Sequence, residues 1–169
     1  YTRQIADPDF GARVTGRDGG NTYGAIVARD AAPQVLVPGT QGSSFAPLDE
    51  KANVAVARYR YDISTDFSLG AIGTFRQGDD YANNLAGVDG RWRKGAHTVT
   101  AQFLHSQSEY PDDIVDIYKD ELGDDRTPSG NAWRAQYSFS NRDWNFDAWH
   151  EDIDPGFRKQ LGSLFCPCA

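Results

Sequence analysis

Arg91 and Arg93 stand two residues apart, and Asp89 precedes them at the same spacing. In an extended chain that spacing puts all three side chains on one face. Arg76, Arg134 and Gln136 fall on the same expected face of their own segments. Together these six residues read as a charged, hydrogen-bonding wall able to line a path for anionic or polyhydroxylated solutes. The same arginines would serve equally well in pairing with Asp89, Asp147 and their neighbours across a sheet.

A second chemistry is hydrolysis. Asp147, Glu151 and Asp152 lie on or beside one segment, and Glu109, Asp112 and Asp113 open a loop. Glycoside hydrolysis uses two carboxylates at a defined separation. His105 or His150 with Ser106 or Ser138 and Asp147 would be the parts of a nucleophilic triad, although the strand-to-helix motif Gly-x-Ser-x-Gly is absent. Asp147, His150 and Glu151 are therefore the candidate catalytic group, and a hydrolase of glycosidic or ester bonds is the alternative function. The run Asp112–Asp125 holds six Asp and one Glu. Its oxygens suit calcium, but they lack the ordered spacing of an EF-hand loop. No Gly-x-Gly-x-x-Gly or Walker loop occurs, so no other cofactor or metal is expected.

These residues must be positioned by strands, because period-two alternation dominates the chain. Eight segments show it: 10–17, 22–29, 52–61, 67–77, 84–93, 97–107, 131–140 and 144–151. Asp18-Gly-Gly-Asn21 is a strong hairpin turn. One helical turn is expected within 114–122. Connections alternate in length. Short turns fall at 18–21, 62–66, 94–96 and 141–143, whereas the links 31–51 and 108–130 each exceed twenty residues. An up-and-down sheet therefore has short turns at one end and large loops at the other, as outer-membrane barrels do.

The two faces differ in kind. One carries Ala12, Ala25, Ala71, Gly73, Ala86, Gly90, Ala101, Ala135 and Ala148 among its apolar residues. Small side chains fill a protein interior poorly, whereas lipid chains conform to them. The other face carries mid-strand arginines and aspartates, which suits a watery lumen. Tyr23, Tyr59, Tyr61, Phe67, Trp92, Phe139 and Trp144 lie near the short turns, with Phe10, Phe75, Trp133 and Trp149 toward the opposite end. Two such rows resemble interfacial girdles, and they also suit the ordinary strand preference of aromatics. The expectation is an all-β, antiparallel up-and-down meander of about eight strands, forming an outer-membrane-type β-barrel or a fragment of one. Its apolar face would meet lipid or detergent, and its sheet edges would allow self-association. A soluble lipocalin-like barrel binding a small ligand is the other architecture such alternation permits.

Composition narrows the classes. Among 169 residues, 17 Lys and Arg face 24 Asp and Glu, a net charge of −7 that opposes nucleic-acid binding. No run of 18 apolar residues is present to make a membrane-spanning helix. Four Trp, eight Tyr and nine Phe mark a folded chain. Met is absent and no leader is visible, so the expectation is a mature or internal segment. The only cysteines, Cys166 and Cys168, sit in a terminal Cys-Pro-Cys, which reads as an incidental tail. Residues 1–162 are expected to form the barrel segment and 163–169 an atypical tail.

Ile5-Ala-Asp-Pro-Asp-Phe-Gly-Ala-Arg-Val-Thr-Gly-Arg17, followed by Tyr23-Gly-Ala-Ile-Val-Ala-Arg-Asp30, resembles a family of outer-membrane β-barrel domains of unassigned function. Asp152-Ile-Asp-Pro-Gly-Phe-Arg158 is similar to that family's turn before a further strand. In the family the barrel follows a module similar to family 9 carbohydrate-binding domains. The resemblance covers most of residues 1–162 and implies a Gram-negative outer-membrane location. It also implies a transport or surface-binding role, with glycan capture as its link. The family's barrels are longer, its module is absent here, and the end of this chain departs from the family strand. The expectation is therefore a fragment.

Overall fold

The computed structural model describes residues 7–39, 42–47, 51–119 and 125–158. Eight strands form one antiparallel sheet, each hydrogen-bonded to the next in the chain-order meander. They are β1 (Pro8–Asp18), β2 (Asn21–Asp30), β5 (Ala52–Asp62), β6 (Phe67–Gln77), β7 (Ala82–Lys94), β8 (His97–Glu109), β9 (Ser129–Ser140) and β10 (Asn145–Ile153). The link between β2 and β5 contains a separate hairpin of β3 (Gln34–Gly39) and β4 (Gly42–Pro47). The link between β8 and β9 contains α1 (Asp112–Ile117), which overlaps the expected helical turn. No helix among the described residues is long and apolar enough to cross a membrane.

Among the described residues the expected meander is present, as an open sheet rather than a closed barrel. β1 and β10 are its two edges. The expected tail, with Cys166 and Cys168, lies outside the described residues.

The short turns have local causes. Asp18 pairs with Asn21 and Lys94 with His97 across two-residue turns, in which Gly19 and Gly95 take φ values of +53 and +58°. That region is cheap for glycine and costly for other residues. In the 141–144 turn the Asn141 side chain accepts hydrogen bonds from the backbone N–H groups of Asp143 (2.9 Å) and Trp144 (2.7 Å).

Register fixes the two faces. Gly24, Arg58, Ile72, Gly87, Leu104 and Ala132 are successive partners across the sheet, so they share one face. This is the polar face, and it is the sheltered one. Arg76, Asn83 and Ser106 on it are fully buried, and Thr74 is nearly so. The apolar face is the exposed one. Val88, at the middle of β7, is 57% exposed and Phe75 on β6 is 52% exposed.

Packing is concentrated at the long-loop end. Tyr81, Tyr110, Ile114 and Val115 form one buried cluster, with the two tyrosine rings 5.9 Å apart. Burial, then the neighbouring Tyr110, push the Tyr81 phenol well above its usual range, partly offset by Arg76. A second cluster joins Leu85, Leu104 and Ala132 to Phe157. Phe157 reaches it because the chain turns after β10. The Asp154 N–H donates to the Asn131 carbonyl (2.9 Å), and the Phe157 N–H donates to the Asp154 carbonyl (2.9 Å). The segment then crosses the polar face. The Arg158 N–H donates to Ser106 Oγ on β8 (2.8 Å), and Asn83 Nδ2 on β7 donates to the Arg158 carbonyl (3.2 Å). Gly130 permits this crossing, since a Cβ there would lie 2.4 Å from the Phe157 nitrogen.

Candidate functional site on the polar face

The pairing registers put Asp89, Arg91, Arg93, Arg134 and Gln136 on the polar face, in the half nearer the short turns. Asp89 is held by Arg58 on β5, a residue that the spacing of the other arginines did not single out. The two side chains meet across β6, where Arg58 Nη2 donates to Asp89 Oδ1 at 2.8 Å and Nη1 donates to Oδ2. A forked pair of this kind fixes orientation as well as charge. It needs Gly70 beneath it, because a Cβ at that position would meet Arg58 Nη2 at 2.6 Å and Asp89 Oδ2 at 2.8 Å.

Arg91 lies between Ser68 and Thr100, and Arg93 lies beside Thr98. On β5, Arg60 Nε donates to Asp62 Oδ1 (2.9 Å), and Arg17 on β1 reaches the same carboxylate at 3.9 Å. Arg13 pairs with Ile26 and faces the same way. Six arginines (17, 58, 60, 91, 93 and 134) thus share this part of the face with four carboxylates (62, 89, 147 and 151). That is an excess of two positive charges in a chain whose net charge is −7.

Arg76 stands apart from this set. At the long-loop end its Nη2 lies 3.0 Å from Asp30 Oδ2 and its Nη1 donates to the Gln34 carbonyl (3.0 Å). Both side chains of this ion pair are fully buried. Arg76 therefore belongs to the packing of the loop end, apart from the other arginines of this face.

The β9–β10 pair holds the most connected polar group. Arg134 Nη1 lies 3.7 Å from Glu151 Oε2, and Arg134 Nη2 donates to Gln136 Oε1 (3.5 Å). Gln136 Nε2 donates to Ser138 Oγ (3.4 Å), and Ser138 Oγ donates to Asp147 Oδ1. Trp149 pairs directly with Gln136, so its indole stands inside this frame and is 63% exposed. This corrects its expected place in the second aromatic row. Parity along β10 puts it with Asp147 and Glu151, whereas Phe10, Phe75 and Trp133 remain on the apolar face.

The same parity separates the candidate catalytic group. His150 pairs with Ala135 on the apolar face, and its ring packs 4.9 Å from that of Trp133. Asp147 and Glu151 are on the opposite face, four residues apart, which is about 13 Å along a strand. Glycosidase carboxyl groups stand roughly 5–9.5 Å apart. His105 Nδ1 contacts Asn131 Oδ1 (3.0 Å) on the apolar face, whereas Ser106 is buried on the polar face under Arg158. The structure thus brings together Arg134, Gln136, Asp147 and Glu151, but neither histidine joins them.

In the acidic run, Asp112 pairs with Arg126 (3.0 Å), and Asp125 Oδ1 accepts from the Thr127 N–H (2.9 Å). Residues 120–124 of that calcium candidate lie outside the described residues. Among the described residues no group of three or more His, Cys, Asp or Glu is placed to hold a metal ion. Compared with protein families, curated proteins and solved structures, the chain matches none.

Proposed function

We propose that this chain is a wall segment of a Gram-negative outer-membrane β-barrel, with a transport or surface-binding role toward anionic or polyhydroxylated solutes. The observation that carries the reading is the inversion of the two faces. Aromatic and aliphatic side chains cover the exposed face, while arginines, carboxylates and amides lie on the sheltered one beside the buried Leu85–Leu104–Ala132–Phe157 cluster. In water so broad an apolar surface is rare on a monomer. Against lipid it is the expected outer surface of a barrel.

Other features agree. The strands of the central sheet run 9–13 residues, enough to cross a bilayer at a tilt. Tyr23, Tyr59, Tyr61 and Trp92 form a row on the apolar face near the short turns, at headgroup depth in this reading. The sequence resemblance to outer-membrane barrel domains points the same way and links the role to glycans. Lipid cannot hydrogen-bond the open backbone of β1 and β10. In a bilayer these edges therefore pair with each other or with another copy. A soluble lipocalin-like barrel would place its large apolar side chains inward instead.

The arginine excess gives the wall its preference. Reconstituted into phospholipid vesicles, the protein is expected to float with the lipid and to pass small anionic solutes faster than cationic ones. Replacing Arg91 and Arg134 together by Ala should lower anion flux several-fold. Protein that stays unassociated with vesicles, or flux indifferent to solute charge and to both arginines, would overturn the reading. Hydrolysis of oligosaccharides or short esters that is lost in Glu151→Gln or Asp147→Asn would favour the hydrolase alternative.

A further inference from the structure

The polar face carries one feature that a plain charged wall does not require. Trp149 is a large apolar ring, 63% exposed, set among polar side chains on β9 and β10. As the edge strand, β10 is exposed along its whole length; what sets Trp149 apart is that its indole shares a face with Arg134, Gln136, Ser138, Asp147 and Glu151. We infer that Trp149 and its frame form a docking subsite for a neutral oligosaccharide. This deepens the proposed function and rests on it only in taking the polar face as wetted.

The chemistry of the frame selects the ligand class. The apolar C–H face of a sugar ring packs on an indole, which offers a large flat surface with little rotamer entropy to lose. Sugar hydroxyls each donate and accept, and they need both kinds of partner around the ring. The frame supplies both. Asp147 and Glu151 accept, Arg134 donates, and Gln136 and Ser138 do either. These side chains lie directly opposite Trp149, diagonal to it, or two residues away on its own strand. The frame spans about 13 Å along the strand, long enough for more than one sugar unit.

Three contacts within the frame are long, whereas Ser138 Oγ and Asp147 Oδ1 meet closely. Arg134 to Glu151 is 3.7 Å, Arg134 to Gln136 is 3.5 Å and Gln136 to Ser138 is 3.4 Å. Contacts this long are weak, so ligand hydroxyls replace them at small cost. Two carboxylates against one arginine set this subsite apart from the cationic wall on β7. A polyanionic glycan is repelled here, whereas a neutral one is not.

The test uses the full chain in detergent, titrated with malto-, cello- and xylohexaose and with an oligogalacturonate hexamer. Binding is read by calorimetry and by tryptophan emission. At least one neutral hexamer is expected to bind saturably and more tightly than the acidic one. Trp149→Ala should weaken that binding by about tenfold or more, with Trp149→Phe restoring part of it. Trp144→Ala, which removes a 74% exposed indole in the turn before β10, should leave it unchanged. No saturable binding by any neutral hexamer, preference for the acidic one, or equal binding by wild type and Trp149→Ala would each overturn the inference. Vesicle flotation keeps the two readings apart. Flotation without sugar binding defeats the subsite alone, and sugar binding without flotation defeats the membrane reading alone.

Discussion

Asp30→Ala is expected to cost about 3–5 kcal/mol of stability, read as a lowered midpoint of urea unfolding in detergent. Asp30 and Arg76 are both fully buried and meet at 3.0 Å. Asp30 Oδ1 also accepts from the backbone N–H groups of Asp7 (3.0 Å) and Ala32 (3.4 Å). Removing the carboxylate takes a buried ion-pair partner from the guanidinium and strips an acceptor from two N–H groups. The asymmetry of buried pairs supplies a control: replacing both members by apolar residues is often nearly neutral. Asp30→Leu combined with Arg76→Met should therefore recover most of the loss. A cost below about 1 kcal/mol for Asp30→Ala, the range of an exposed ion pair, would contradict the burial seen here.

Val88→Arg is the second large effect, and its size depends on what touches the apolar face. Val88 is 57% exposed at the centre of β7. Facing water, such a substitution shifts stability by no more than about 0.5 kcal/mol. Facing the middle of a bilayer, it costs about 2–4 kcal/mol. Measured by reversible folding into phospholipid vesicles, the larger cost is expected. Thr98→Glu, directly opposite Arg93 on the polar face, should be tolerated.

Most of the wall was legible in the sequence because strand side chains alternate with period two. That single rule places Asp89, Arg91 and Arg93 together. Independent registers on β9 then bring Arg134 and Gln136 to the same face. The same rule orders β10. Counting by twos from Asn145 separates His150 from Asp147 and Glu151 and puts Trp149 with the carboxylates. Residue type, an aromatic near a strand end, had suggested the opposite for Trp149. Other parts depend on contacts that no local pattern encodes. Arg58 matters because Gly70 leaves room for it to reach Asp89 two strands away. Arg76 shares its neighbours' alternation, yet Asp30 and the Gln34 carbonyl draw it into the loop end. The β3–β4 hairpin occupies a link whose prolines and glycines read as loop. Pro155-Gly156 signalled a turn, but its direction across the polar face follows from the Phe157 cluster and the space left by Gly130. Alternation also specifies neighbours without specifying closure, and the sheet is open at β1 and β10.

The most direct measurement is residue accessibility in a lipid bilayer. Single cysteines would be placed at Ala71, Ala101 and Ala135 on the apolar face and at Arg91 and Arg134 on the polar face, with Cys166 and Cys168 replaced by Ser. Each would be challenged with a water-soluble maleimide and, as a spin label, with a lipid-dissolved relaxant. The first three should resist the maleimide and respond to the lipid relaxant, while Arg91→Cys and Arg134→Cys should react from water. The reverse pattern, with the alanine face labelled from water and the arginine face shielded, would contradict the assignment of lipid to one face and solute to the other.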